Sequence, residues 1–238
     1  MKVAVCIIAT GNYKSLLNRL ITDIHERFLI NHKITIHVFH DNDDITTLPI
    51  PAQTRLNFAY HQILSYKFPE ATLLRYRIMT SIVYRGDYIF YLDADMGIVS
   101  EVGDEILSDI TAVRHPGFID RPCNSWEENQ KSNAFIPKEK RGFYFAGGFQ
   151  GGETTPYYFA MMRMREWIKE DLSKGITPRW HDESIWNRYL SEFDKGVINV
   201  LNCDYCMPEA KTKRIAWGIN NIEPKILALE KDFKFMRQ

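Results

Sequence analysis

At 238 residues the chain has the length of one large domain, or of a core with a smaller appendage. Its 30 basic and 30 acidic residues cancel, which excludes a general affinity for nucleic acid while leaving room for local basic clusters. A hydrophobic share of 45% and a charged share of 25% are ordinary for a soluble globular protein. The apolar run after Met1 is too short for a membrane span and lacks a signal peptide's layout, and no other stretch is long enough to span, so the expected location is cytoplasmic. Of the four cysteines, Cys203 and Cys206 have zinc-knuckle or redox spacing, but no second pair follows them, and they read as ordinary thiols.

In chain order, residues 3–10 read as a strand closed by Gly11 and Asn12. Leu16, Leu17, Leu20, Ile21, Ile24 and Phe28 then recur at helical spacing. Residues 34–39 form a second strand, with Asp41 to Asp44 as its loop, so the chain opens as a βαβ unit with a right-handed crossover. Its first turn holds Gly11 alone, without the dinucleotide glycine fingerprint, which argues against a dehydrogenase. Leu56 to Tyr66 and Ala71 to Val83 are expected to be helical around the Phe68-Pro69 break, with Arg75 either facing a phosphate or, as the residues alone favour, covering a helix surface. Ile106 to Val113 reads as a short helix feeding a strand.

Residues 116–142 are polar and aperiodic, a candidate active-site loop whose Phe118, Trp126, Phe135 and Ile136 need something to pack against. Phe143 to Phe145 resume a strand, which Gly147-Gly148 and Gly151-Gly152 are expected to break, as turns or as close approaches of the backbone to a ligand. A helix runs from Tyr157 to Leu172, its Met161, Met162 and Met164 serving packing. Another helix covers Ile185 to Phe193, and Ile198 to Leu201 form a late strand. The tail beyond 209 carries Lys211, Lys213, Arg214, Lys225, Lys231, Lys234 and Arg237, a basic end suited either to closing over an anion or to solubility.

Two stretches carry the chemistry. Tyr88 to Leu92 is an apolar, strand-prone run that ends in Asp93-Ala94-Asp95. Residues two apart on a strand face the same way, so both carboxylates should project together at its carboxyl end, where ligands of α/β sheets bind. Paired carboxylates there suit Mn²⁺ or Mg²⁺, which in turn could hold a diphosphate. The second stretch, Trp180-His181-Asp182-Glu183-Ser184, sets an aromatic ring, an imidazole and two carboxylates at the start of a helix. A capping role accounts for one acid. The whole group suits a sugar site, where rings stack on apolar sugar faces and a carboxylate stabilises or traps oxocarbenium-like charge. Together they point to a nucleotide-sugar transferase.

From about residue 8 onward the chain resembles the family 6 retaining glycosyltransferases, among them the histo-blood group A and B transferases and α-1,3-galactosyltransferase. The resemblance lies in Ile8 to Tyr13, Leu74 to Arg77, Asp93 to Asp95, His115 to Phe118, Ala134 to Lys138, Phe143 to Gly152 and Trp180 to Ser184. Asp-x-Asp is shared widely; the last two segments, in this order and separation, are specific. The family implies an α/β glycosyltransferase-A fold, a Rossmann-like mixed sheet flanked by helices, that binds a UDP-sugar with Mn²⁺. It implies a single catalytic domain over 1–238: residues 1–100 mainly nucleotide-binding, 101–209 mainly sugar and acceptor, and 210–238 a basic tail closing over the diphosphate. Animal members carry an anchor and stem; the chain begins at the catalytic domain and so looks like a bacterial or phage relative. Many bacterial relatives replace both aspartates with asparagine, whereas Asp93 and Asp95 are present here.

By the same resemblance, Ile8, Ala9 and Tyr13 correspond to the uracil pocket, Arg75 to a donor-site arginine, and Asp93 and Asp95 to the ribose, metal and diphosphate site. Lys231 and Arg237 match tail residues that fold over the diphosphate. Glu183 matches the catalytic carboxylate, as nucleophile or as electrostatic support, and also touches the acceptor. Asp182 and His181 match donor-sugar contacts, and His115, Ser125 and Trp180 match acceptor contacts. Donor choice turns on the Ala146-Gly147-Gly148 segment, where small residues at 146 and 148 leave room for an N-acetyl group. UDP-GalNAc is therefore the expected donor and UDP-galactose the runner-up. The expected acceptor is a terminal galactose carrying an α-1,2-linked fucose, glycosylated at its 3-hydroxyl. Cys203 to Glu209 departs from the animal pattern where an acceptor-contacting aspartate is expected. The competing readings are a UDP-sugar hydrolase, a transferase of another linkage, and a carbohydrate-binding protein that has lost catalysis.

Overall fold

The computed structural model describes residues 1–41, 55–66, 68–193 and 196–232. The first unit is β1 (Lys2–Ala9), α1 (Leu17–Arg27) and β2 (Lys33–His40), with the two strands parallel and in register from Lys2 opposite Lys33 to Ala9 opposite His40. Seven consecutive residues of β1 are buried, so the strand must be covered on both faces, which a helical crossover beside parallel neighbours provides. On α1, Leu17, Leu20, Ile21 and Ile24 make the buried stripe.

β3 (Leu56–Gln62) is an edge strand parallel to β2, which corrects the expectation of helix from Leu56 to Tyr66. Its residues 58–61 are all half-buried, so neither face is dry enough to impose a clean alternation on the sequence. Just before it, Arg55 donates to the carbonyls of Ile24, His25, Phe28, Leu29 and His32, closing the carboxyl end of α1 and fixing where the strand begins. The second expected helix is two short ones, α2 (Glu70–Leu73) and α3 (Arg75–Met79), parted at Leu74 by a ψ of 7°.

β4 (Tyr88–Leu92) pairs in parallel with the free side of β1. After β5 (Met96–Ile98), the strands β6 (Thr111–Arg114), β7 (Phe145–Glu153) and β8 (Asn199–Leu201) complete a seven-stranded sheet of order β3-β2-β1-β4-β7-β6-β8. β7 is antiparallel to both β4 and β6. It runs straight through both glycine pairs rather than breaking at them. A Cβ at Gly151 would collide with Phe90 and the Ile89 carbonyl, and one at Gly152 with the Asp109 carbonyl. The glycines are what lets the neighbouring chain come this close.

α3, α4 (Thr154–Ser173) and α5 (His181–Leu190) cover one face, where Tyr157, Ala160, Met161, Met164 and Trp186 are buried. α1 covers the other, joined by a small sheet of β5, β9 (Met207–Pro208) and β10 (Ile226–Ala228). This is the mixed sheet flanked by helices expected of a glycosyltransferase-A fold. Two features place the site. The strand order reverses between β1 and β4, so the carboxyl ends of these strands diverge into a crevice. The β5–β10 pairing returns the tail to the same place, where the Leu229 N–H donates to the Asp95 carbonyl at 2.9 Å. Among the described residues no helix is long and apolar enough to cross a membrane.

Candidate active site

β4 ends at Leu92, and Asp93-Ala94-Asp95 forms a turn in which the Met96 N–H donates to the Asp93 carbonyl. The two carboxylates therefore do not share one strand face, as their spacing suggests; each has its own surroundings. Asp93 accepts from Arg75 at 2.9 Å and from the Tyr91 hydroxyl at 2.7 Å. Asp95 is buried and ion-paired with Lys231. The Lys231 ammonium also lies 5.1 Å from the centre of the Tyr13 ring. Tyr13 belongs to the 3₁₀ turn Gly11–Leu16 that leaves β1, so Ile8, Ala9, Tyr13, Asp95 and Lys231 converge at one crevice. Asp41 closes its rim: burial works to raise its pKa, but hydrogen bonds from Lys14, the Gly11 N–H and Ser65 outweigh that and hold the carboxyl below the usual range. Arg237 lies outside the described residues, as do Lys234 and the loop expected at 42–44.

Arg75 connects the two halves of the site. Only 3% exposed, it does not cover a helix surface as the unaided sequence suggests. It pairs with Asp182 and with Asp93, each at 2.9 Å, donates to the Gly147 carbonyl at 2.5 Å, and lies 4.0 Å over the Tyr91 ring. Burial disfavours its charge, but its anionic neighbours, Asp182 foremost, hold its pKa well above the ordinary value. Gln150 braces the same carbonyl from β7 and accepts from the Tyr76 hydroxyl.

α5 presents the second pair of acids. Its first residue, His181, has a φ of 51°, uncommon for a residue with a side chain, and its ring meets that of Phe68 edge-on at 5.2 Å. Trp180 before it is 47% exposed, open to a ligand face. Asp182 is buried against Arg75, and Glu183 accepts the Gly147 N–H at 2.9 Å. A helix amino end favours anions. Withdrawal from water outweighs it and pushes both carboxyls up to about 7. One turn on, Asn187 donates to the carbonyls of Glu183 and Phe145 and accepts the Phe145 N–H, clamping α5 to β7.

Beside Glu183 stands the buried Tyr144 hydroxyl, which works with the Gly147 N–H to lower that carboxyl against burial, although it makes no hydrogen bond of good geometry. Tyr144 packs with Trp126, Phe118 and Ile136, so the aperiodic loop does have its own small core. His115 lies 5.8 Å from the Tyr144 ring and 6.0 Å from Trp217. Burial pushes its pKa down to about 4, and its Nδ1 accepts the Gly117 N–H. The Ser125 N–H donates to the Cys123 sulfur; burial first, and Glu183 in part, raises that thiol. His115 packs on Tyr144 beside Glu183, and Ser125 neighbours Cys123, while Trp180 precedes Glu183 on the chain. Cys203 and Cys206 are free and buried, and burial pushes the Cys203 thiol up to about 11.

Ala146, Gly147 and Gly148 lie on β7 between the two carboxylate pairs. A Cβ on Gly147 would stand 3.3 Å from Cβ of Glu183; one on Gly148 would run into the Met96 methyl and stand 3.1 Å from an Asp93 oxygen. The sequence pattern passed over Tyr91, Tyr144, Gln150, Asn187 and Met96. Gln150, the one amide among the glycines and phenylalanines of β7, is the visible signal.

The residues fit a divalent cation. Asp93 and Asp95 offer hard oxygens, and four carboxylates, with Asp182 and Glu183, face the two cations Arg75 and Lys231. Lys231 stands on Asp95 as a stand-in positive charge. Among the described residues no three His, Cys, Asp or Glu form a ready-made cage. An ion held by one or two carboxylates together with substrate phosphates needs none.

The sheet reverses between β1 and β4, and acids gather at that crevice and on the facing helix, where α/β sheets bind their ligands. The sequence profile of glycosyltransferase family 6 matches residues 1–238, and the chain belongs to that family. It is 30% identical over 197 residues to the histo-blood group ABO system transferase 1 of Rattus norvegicus, covering 79% of this chain and 56% of the relative. It is 26% identical over 216 residues to the O-antigen biosynthesis glycosyltransferase WbnI of Escherichia coli, covering 88% and 89%. To the globoside alpha-1,3-N-acetylgalactosaminyltransferase 1 of Mus musculus it is 25% identical over 221 residues, covering 90% and 63%. The chain thus spans little more than half the length of the rat transferase.

Proposed function

We propose that the chain is a retaining α-1,3-glycosyltransferase that moves GalNAc from UDP-GalNAc to the 3-hydroxyl of a terminal galactose, one carrying an α-1,2-linked fucose. The observation that carries this reading is the continuous link Asp93–Arg75–Asp182, with Gly147 bridging Arg75 and Glu183, which joins a nucleotide-end acid to a sugar-end pair in one cleft. The name of one relative, a globoside alpha-1,3-N-acetylgalactosaminyltransferase, supports the donor and linkage.

In this reading the nucleotide lies against Ile8, Ala9 and Tyr13, and its diphosphate against Asp93, Asp95 and the tail. Mn²⁺, held by Asp93 and Asp95, would supply positive charge to the diphosphate as UDP departs. Lys231 would turn from Asp95 to the phosphates. Arg75 fixes Asp182 toward the donor sugar's hydroxyls. Glu183, held by the Gly147 N–H and Tyr144, places a carboxylate where the anomeric carbon gains positive charge, and Trp180 offers a stacking face to the acceptor. Galactose is the second reading, favoured by one observation: the space beside Gly148 is taken by the Met96 methyl, which would have to move for an acetamide.

The test is transfer from UDP-GalNAc and from UDP-galactose to a 2-fucosylated galactoside, each with Mn²⁺ and with EDTA, the product linkage read by NMR. Faster GalNAc transfer that EDTA abolishes is expected. Asp93→Asn and Asp95→Asn should remove the stimulation by Mn²⁺, and an unchanged response would end the metal assignment. Binding of UDP without transfer to any fucosylated acceptor would leave a carbohydrate-binding protein instead.

A further inference from the structure

The far end of the sheet carries a second polar site. β1 and β2 begin with Lys2 opposite Lys33, two like charges on neighbouring strands in register. Such pairs destabilise a sheet unless something lies between them. One step inward on the same face, Thr35 is in register with Asn57 of β3, and His37 follows. Side chains two apart share a face, so these groups line one column of the sheet. Here the column is roofed by the loop before β4 rather than by a helix. A cavity of about 370 Å³ results, and Arg85 enters it from that loop.

Charge defines what the cavity would take. Lys2, Lys33 and Arg85 line it, and no carboxylate does. Among the described residues none of the three forms an ion pair. The nearest acid, Asp87, is exposed and accepts the backbone N–H of Lys2 at 2.8 Å. Three positive charges exceed what one carboxylate ligand neutralises, whereas a phosphate group brings about −1.5 to −2 and a diphosphate more. Arginine matches phosphate as a two-pronged donor, and lysine as a point charge. Thr35 and Asn57 add neutral hydrogen-bonding groups. His37, tied to His61 at 3.0 Å with its pKa pushed down to about 4 by burial, brings a neutral ring at pH 7.

We propose that this cavity is a binding site for a phosphate-bearing anion, held by Lys2, Lys33 and Arg85 over Thr35 and Asn57. It is separate from the candidate active site: Lys2 and Ala9 are opposite ends of β1, ~23 Å apart at strand rise. The proposal does not depend on the reaction the protein carries out.

Titration of the whole chain with inorganic pyrophosphate, followed by amide chemical shifts, tests it. Saturable shifts at Thr35, Asn57 and Gly86 are expected, weakened at least ~10-fold in Lys33→Glu and in Arg85→Glu, with UDP affinity unchanged in both. Both residues are exposed, and a thermal melt confirms folding. Pyrophosphate also suits the other end of the sheet, so shifts confined to Asp93, Gly147 and their neighbours would overturn the proposal. In a second arm the protein is sedimented with phosphatidylglycerol vesicles and with phosphatidylcholine vesicles. Lysine-33-dependent capture by the anionic vesicles alone would assign the phosphate to a lipid headgroup and support the site. Absence of both pyrophosphate shifts and vesicle capture would overturn it.

Discussion

Two pairs of acids, Asp93 with Asp95 and Asp182 with Glu183, share one cleft and differ in what holds them. The first pair is matched by cations from distant segments, Arg75 from α3 and Lys231 from the tail. In the second, Glu183 rests on the Gly147 N–H, while Asp182 is buried and shares Arg75 with Asp93. Both members of the second pair are pushed up to about 7. Residue type does not set the role here. Acids whose counter-charges can be exchanged suit an ion and a diphosphate, while acids kept from water suit a site where positive charge develops.

The sharpest way to break this contrast is Glu183→Gln. It removes the charge and keeps the shape, so turnover should fall about 10²- to 10³-fold, with UDP affinity by calorimetry within about twofold of wild type. Near-normal turnover would mean the second pair has no special part. Arg75→Met tests the link instead. Stripping a buried cation from Asp182 and Asp93 should cost ~3–5 kcal/mol in urea unfolding, and a loss under ~1 kcal/mol would show that the pairs are independent.

A smaller effect comes from pH. Asp182 and Glu183 have folded pKa values above their ordinary ones, near 4 and 4.5, so between there and about 7 the folded state holds more protons than the unfolded. Their contribution is therefore full below the ordinary values and is lost as pH rises toward 7. His37 and His115, pushed down, act the other way below 6.5. The quantity to measure is thus the difference between wild type and Asp182→Asn/Glu183→Gln. That difference should fall from pH 5 to pH 7.5, and a flat one would place both acids in water. The smallest expected change is that of Tyr144→Phe. Losing the hydroxyl, one of the groups that lower Glu183, should move the acidic limb of the kcat profile upward by about half a unit. An unmoved limb would make Tyr144 a packing residue.

Much of this cleft could be read in the sequence because its motifs are local. Asp93-Ala94-Asp95 and Trp180 to Ser184 each hold their acids within a few residues, and β1 and α1 announce themselves by burial and period. What the sequence hid is decided across strands. β3 has the pattern of neither strand nor loop in the sequence, because an edge strand half-wet on both faces leaves no alternation to find. The glycines of β7 read as turns, since glycine weakens a strand in isolation, yet here β4 and the Asp109 carbonyl press so closely that nothing larger fits. Arg75 looked like a surface residue because its partners, Asp93, Asp182 and Gly147, come from three later segments. Tyr144 is defined by Glu183, 39 positions away, and no local pattern marks it.

Gly148 bears on how such a protein could be diversified. A side chain at 148 meets the Met96 methyl before it meets any sugar, and it stands 3.1 Å from an Asp93 oxygen. Positions 96 and 148 are therefore one combinatorial unit rather than two. A library that varies 148 alone would mostly sample clashes with Met96 and a displaced Asp93, so a larger residue at 148 calls for a smaller one at 96 and for room beside Asp93.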